Sequence, residues 1–123
     1  MTMRYVSLAA AAVAFAISAP AFAHHGWGGY QDTESDVSGT VQSVSLGGPH
    51  ASMKVRGDDG KMWDVVLAPP YATFSAGIKE GTIPVGAKVT AHGHRHRDAN
   101  RFEIKTERVN VGEKMYNVYP NLH

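Results

Sequence analysis

The sequence predicts an all-β fold, a five-stranded OB-like Greek-key barrel with one short helix between strands 3 and 4. Three observations predict it. Five short segments alternate apolar and polar residues, glycine and proline clusters separate them, and the one helical segment follows the third strand. A small β-sandwich or roll is the alternative. A mixed α/β fold is disfavoured because the chain has a single short helical segment.

The predicted elements follow in chain order. Residues 24–36 are glycine-rich and polar without a period, which predicts a flexible N-terminal arm before the barrel at residues 37–111. Pro69 ends the third strand, and residues 112–123 predict an aromatic and polar tail laid over the surface. The predicted strands are Val37–Leu46, His50–Arg56, Lys61–Ala68, Ala87–Arg97 and Arg101–Val111, and the predicted helix is Tyr71–Ile78.

The alternation also predicts which side chains enter the core. Met53 lies on the inner face of the second strand, and Met62 lies on the outer face of the third. The apolar residues change parity between Val41 and Val44, which predicts a β-bulge in the first strand. The inward-facing residues of the second and third strands are Ala51, Met53, Val55, Trp63, Val65 and Leu67.

Length and composition limit the classes of function. The chain has 123 residues, enough for one small domain, with 12 Lys and Arg against 11 Asp and Glu. It has no cysteine, which excludes disulfides, thiolate metal sites and a cysteine nucleophile. The balanced charge gives no reason to expect nucleic acid or an anionic membrane as partner. Seven histidines stand out in so short a chain.

Residues 1–23 have the order of a secretory signal peptide. Arg4 supplies a positive charge, Leu8–Ile17 is an apolar run, and Ala21–Ala23 is a small-x-small cleavage site. The run is too short to cross a bilayer, which takes about 20 residues. We therefore expect a periplasmic or secreted protein that begins at His24 and keeps no stable membrane anchor after cleavage.

Three histidines share one face of the predicted fourth strand. His92, His94 and His96 alternate with other residues, so neighbouring members of the row lie about 6.6 Å apart. Two neighbours can chelate one metal ion, whereas all three cannot easily converge from a flat strand. The expected site uses two of them and a ligand from elsewhere. The opposite face is small and apolar, so the histidines should point outward or into a groove.

Two other interpretations of this strand stay open. The histidines, interleaved with Arg95 and Arg97, could form an ordinary solvated face. Together with Arg101, the same segment would become strongly positive below the unperturbed histidine pKa of about 6.5. That would make an anion-binding or pH-responsive patch.

His24 and His25 form a second candidate site. If cleavage follows Ala23, His24 offers its α-amine and imidazole as a chelate, the arrangement of histidine-brace copper sites, and His25 adds an imidazole and a peptide nitrogen. Nitrogen ligands without thiolate suit Cu(II), Ni(II) or Zn(II), and Cu(II) binds most tightly in that series. Copper is therefore the first choice and zinc the second.

Several short motifs occur together along the chain: His-His after the signal peptide, a Gly-Thr-Val strand, a Pro-His turn, a Trp-containing strand, a proline and a Gly-x-x-Val-x-x-x-Gly strand. Their combination resembles a family of small exported bacterial proteins known as a domain of unknown function. Leu46–Gly48 depart from the family, which has Trp and Asn before Pro-His. The matching residues are Ala23–His25, Gly39–Val41, Pro49–His50, Trp63, Pro69 and Gly86–Gly93.

The resemblance implies export, a β fold and a shared site for His24, His25 and His50. We therefore expect a periplasmic, non-enzymatic metal-binding protein for storage, sensing or delivery. No nucleophile elbow, paired-carboxylate motif or zinc-protease motif indicates an enzyme. A structural or anionic-ligand-binding OB module of the cell envelope is the alternative. The candidate ligands are His24, His25, His50, His92, His94 and His96.

Overall fold

The computed structural model describes residues 27–121. The predicted signal peptide, its cleavage site, His24, His25 and His123 lie outside the described residues. Within residues 27–121, no helix has the length and apolar character needed to span a membrane. The elements are β1 (Ser35–Ser45), β2 (Ser52–Gly57), β3 (Met62–Val66), α1 (Pro70–Ser75), β4 (Lys88–Arg95), β5 (Glu103–Val111) and β6 (Lys114–Asn117).

Five strands close into a barrel, which confirms the predicted all-β architecture. The strand order is β3-β2-β1-β4-β5, the neighbours in this order are antiparallel, and a parallel pairing of β3 with β5 completes the circle. The short helix α1 lies between β3 and β4, as predicted. Closure provides hydrogen-bond partners for backbone N–H and C=O groups of β3 and β5. Unpaired groups on exposed edge strands can pair with other chains.

The barrel interior forms the hydrophobic core that the alternation predicts. Met53 and Trp63 are buried, with 1% and 5% of their surface exposed, whereas Met62 is 40% exposed on the outer face. These positions confirm the predicted inner and outer faces of β2 and β3. Burial of the inward residues stabilises the fold at roughly 25 cal/mol per Å² of apolar surface. Val55 of β2, Val65 of β3 and the flanking residues Ala51 and Leu67, which were predicted to face inward, have no exposed surface.

Two β-bulges interrupt the strand pairing. A register shift between Val41 and Ser43 confirms the bulge predicted in β1. The sequence did not predict the second bulge. On β5, Arg108 pairs with His92 while Thr106 pairs with Gly93, so Glu107 is the extra residue between them. A bulge interrupts the alternation of side chains, and here it changes which β5 side chains accompany the β4 histidines.

The two terminal segments differ from their predictions. Residues 27–36 lie against the barrel: Trp27 is 3% exposed, and the Gln31 backbone N–H donates to the Arg95 carbonyl oxygen at 2.8 Å. The first strand also begins at Ser35 rather than Val37. In the tail, Lys114–Asn117 form β6 on β5, and Val118 is buried. Sequence periodicity missed the contacts of residues 27–36 because they join residues far apart in the chain. The β6 pairing is local, since β6 forms a hairpin with β5 across a turn at Gly112 and Glu113.

Gly93 lies at a close approach between β4 and β5. A Cβ atom built on Gly93 would overlap the backbone carbonyl of Lys105. Only a residue without a side chain fits between the two strands at this point. This close approach explains why the last position of the Gly-x-x-Val-x-x-x-Gly motif, at Gly86–Gly93, is a glycine.

We expect Gly93→Ala to lower the free energy of unfolding by about 1–3 kcal/mol, because overpacking forces the backbone apart. Gly47→Ala is the matched control, since a Cβ on Gly47 meets nothing within 4 Å. Chemical denaturation of both variants measures the difference. Equal midpoints for the two variants would contradict the steric account.

Candidate metal centre

A second, smaller packed cluster lies outside the barrel. The Trp27 ring contacts the His94 ring edge-on at 5.3 Å and the Tyr119 ring at 5.4 Å between centroids. Lys105 Nζ lies over the Trp27 ring, 5.3 Å from its centroid. We call Trp27, His94, Lys105, Glu107 and Tyr119 the outer cluster. It joins both terminal segments to the outer face of β4 and β5.

His94 is the buried centre of this cluster. It is 6% exposed, and its Nδ1 lies 2.7 Å from the carbonyl oxygen of Gln31. A carbonyl oxygen only accepts hydrogen bonds, so Nδ1 carries a proton and donates it. This contact orients the ring, and Nε2 is directed at Glu107 Oε1, 3.0 Å away. A histidine that donates one nitrogen to a carbonyl while presenting the other has the orientation of a metal ligand.

Glu107 and Glu34 complete a three-ligand group with His94. Their ligand atoms all lie within 4.8 Å of one another. Glu107 is 3% exposed, and it reaches His94 because of the bulge in β5. Glu34 is exposed and precedes β1, whose first residue, Ser35, pairs with Gly93 next to His94. Within residues 27–121 this is the one group of three histidine or acidic ligands that meets this spacing.

His92 lies at the edge of the same group. Its Nε2 is 3.6 Å from Glu34 Oε1, and its Nδ1 is 2.6 Å from Asp36 Oδ1. Glu34 therefore faces both His92 and the His94–Glu107 pair. The carboxylates, rather than a second histidine, are what the structure brings to His94.

His96 and His50 have other neighbours. The Asp98 backbone N–H donates to His96 Nδ1 at 3.0 Å. Lys105 Nζ lies 3.4 Å from His50 Nε2. Burial, together with the charge of Lys105, lowers the pKa of His50, so a neutral ring that accepts from the ammonium is favoured. His50 thus contacts the outer cluster, through Lys105.

Lys105 is a buried cation held by aromatic rings. It is 7% exposed, and its Nζ lies over the rings of Trp27 and Tyr119. Burial lowers the pKa of Lys105. The negative faces of the two rings compensate for part of the hydration that the ammonium loses.

The sequence predicted His94 as a metal ligand but did not predict which residues surround it. His94 lies on the outer face of β4, outside the barrel core, but it is not exposed to solvent because Trp27 packs against it. Glu34 and Glu107 stand in polar, charged stretches without a motif. The one signal that could have found Glu107 is its place on the strand paired with the histidine row, and the bulge there has no sequence signature.

A comparison with protein families identifies a matching family model. A family model described as a family of unknown function, DUF6152, matches residues 11–106. This confirms the resemblance to an uncharacterised domain family. None of the curated proteins compared with the chain matches it.

We expect Trp27→Ala to lower the free energy of unfolding by about 3–5 kcal/mol, because a large buried ring is lost from the outer cluster. Tyr71→Ala is the control, since Tyr71 is 84% exposed and packs little. Thermal and chemical unfolding measure both. If the two variants are equally stable, Trp27 does not hold the terminal segment to the barrel.

Proposed function

The chain belongs to DUF6152, a family of unknown function, and from that premise we propose that it is an exported, non-enzymatic metal-binding protein. The metal is a divalent transition ion, copper first and zinc second, and its ligands are Glu34, His94 and Glu107. The proposed role of the protein is to store, sense or deliver this ion. The observation that carries the proposal is the convergence of these three ligand atoms within 4.8 Å.

The burial of the group supports a built site rather than a chance contact of surface charges. His94 and Glu107 are almost fully buried, and the ring of His94 is oriented by Gln31. Burying an imidazole against a carboxylate is costly unless a proton or a cation lies between them. A divalent cation meets that requirement and interacts with Glu34 as well.

The donor set supports the choice of metal. One imidazole nitrogen and two carboxylates form a nitrogen–oxygen set, which suits Cu(II), Ni(II) and Zn(II). The Irving–Williams order then places Cu(II) first in affinity. With no thiolate in the chain, the site offers nothing that would favour Cu(I).

The exposure of Glu34 supports reversible binding. Two ligands are fixed within the fold, whereas the Glu34 side chain is 49% exposed and faces His92 as well. An ion can therefore enter or leave by way of Glu34 without unfolding the outer cluster. His24 and His25 are candidates for a second chelate at the N-terminus.

We expect Cu²⁺ titration of the chain from His24 to show binding tighter than about 10 μM. In a His24→Ala/His25→Ala background, which lacks the N-terminal histidines, Glu34→Gln should weaken binding about tenfold or more, since the side chain keeps its size and loses a charged ligand. Glu80→Gln, at another exposed glutamate, is the matched control. Quenching of Trp27, whose ring centroid is 5.3 Å from that of His94, and a nitrogen splitting in the electron paramagnetic resonance spectrum provide the readouts.

The same titration in a His24→Ala/His25→Ala background isolates the centre at His94 from the N-terminal histidines. There, His94→Asn should remove the nitrogen splitting. In that background, binding weaker than about 10 μM, or equal affinity in the Glu34→Gln and Glu80→Gln variants, would contradict the proposed centre.

We expect mass spectrometry of the protein expressed in a bacterial host to give an N-terminus at His24 in the periplasmic fraction. The physical reason is the charge, apolar run and small-residue site in residues 1–23. A mature chain that starts elsewhere would remove the N-terminal chelate and leave the His94 centre intact.

A further inference from the structure

A cavity lies at one end of the barrel, and none of the three proposed metal ligands lines it. The parallel pairing of β3 with β5 brings the starts of these strands together, and β4 ends at the same place because it is antiparallel to β5. The Asp64 backbone N–H donates to the Phe102 carbonyl oxygen at 2.8 Å and joins the two starts. The cavity between them has a volume of about 140 Å³.

Two of the cations that line this cavity lie over aromatic rings. The Arg95 guanidinium lies over the Trp63 ring, 5.0 Å from its centroid, and Lys61 Nζ lies over the Phe102 ring at 4.8 Å. The two rings contact each other edge-on at 5.6 Å. Cation–π contacts restrict these long side chains without neutralising their charge, so the cations are positioned before a ligand arrives.

The charges of the lining do not cancel. Lys61, Arg95 and Arg101 face one carboxylate, that of Asp59. Asp59 accepts hydrogen bonds from the Lys61 backbone N–H at 2.9 Å and from the Trp63 indole N–H at 3.2 Å. Hydrogen bonding to Lys61, with smaller contributions that include nearby cations, lowers the pKa of Asp59. Arg101 also pairs with Glu103 at 3.0 Å.

Two of the cations keep free capacity for a ligand. Across residues 27–121, neither Lys61 nor Arg95 forms an ion pair with a carboxylate. The polar contact of Arg95 is a long one, from Nη2 to the Asp36 carbonyl oxygen at 3.4 Å. A neighbouring cavity that also includes Arg95 and Asp59 is lined by two further carboxylates, those of Asp36 and Asp58. The excess of cations over carboxylates is therefore confined to the first cavity, which favours an anion there.

We propose that this cavity binds the oxyanion group, phosphate or carboxylate, of a small molecule. The arginine guanidinium offers parallel N–H donors that match two oxygens of such a group, and Lys61 adds a point charge. The cavity volume suits a single anionic group that is bonded to a small organic group. The site uses neither Glu34, His94 nor Glu107, so it stands independently of the proposed metal function.

The experiment is a titration followed by nuclear magnetic resonance of the Trp63 indole N–H at constant ionic strength. Inorganic phosphate and acetate are the two probes, and they distinguish the two kinds of oxyanion. A saturable shift of the Trp63 signal with either probe is the expected result. The Trp27 indole, which belongs to the outer cluster, is the internal reference.

Arg95→Gln and Lys61→Gln should each weaken this binding about fivefold or more, whereas Lys114→Gln, at an exposed lysine of β6, should leave it unchanged. Shifts that fail to saturate with both probes, or equal affinity in all three variants, would overturn the proposal. The melting temperature of each variant shows that a loss of binding is not a loss of fold.

Discussion

The parallel pairing of β3 with β5 is the constraint on which the other features depend. It joins residues 64–66 to residues 103–105 and closes the sheet. Closure turns the apolar side chains of every strand toward a shared interior, so polar and aromatic residues of β4 and β5 must find partners outside it. It also brings the basic and aromatic ends of three strands together around one cavity. Both proposed sites follow from this closure.

The outer cluster shows how a small barrel can bury charged groups. Lys105, His94 and Glu107 are nearly inaccessible, and buried polar and ionisable groups need compensating partners. Lys105 finds two aromatic faces and His50, while His94 finds a carbonyl and a carboxylate. Trp27 excludes water from both, which strengthens their electrostatic interactions. The terminal segment is therefore part of the site.

Local patterns predicted most of the barrel because strand alternation is a local property. The core positions of β2 and β3, the bulge in β1 and the place of α1 follow from residues that are neighbours in the chain. The candidate site was predicted in part: His94 was named, but its carboxylate partners were not. Glu107 lies 13 residues after His94 in the chain, and Trp27 lies 67 residues before it. No local period encodes such contacts.

By itself, the sequence determined the fold class, the strand faces and the exclusion of thiolate chemistry, since these depend on alternation, turn residues and composition. The tertiary structure decided which histidine receives carboxylates. A bulge that the sequence did not predict places Glu107 beside His94. Barrel closure brings Lys61 and Arg95 to the same cavity. The packing of Trp27 against His94 buries a histidine that would otherwise be exposed. Each of these features depends on the register in which the strands pair. Contacts between residues that are distant in the chain determine that register.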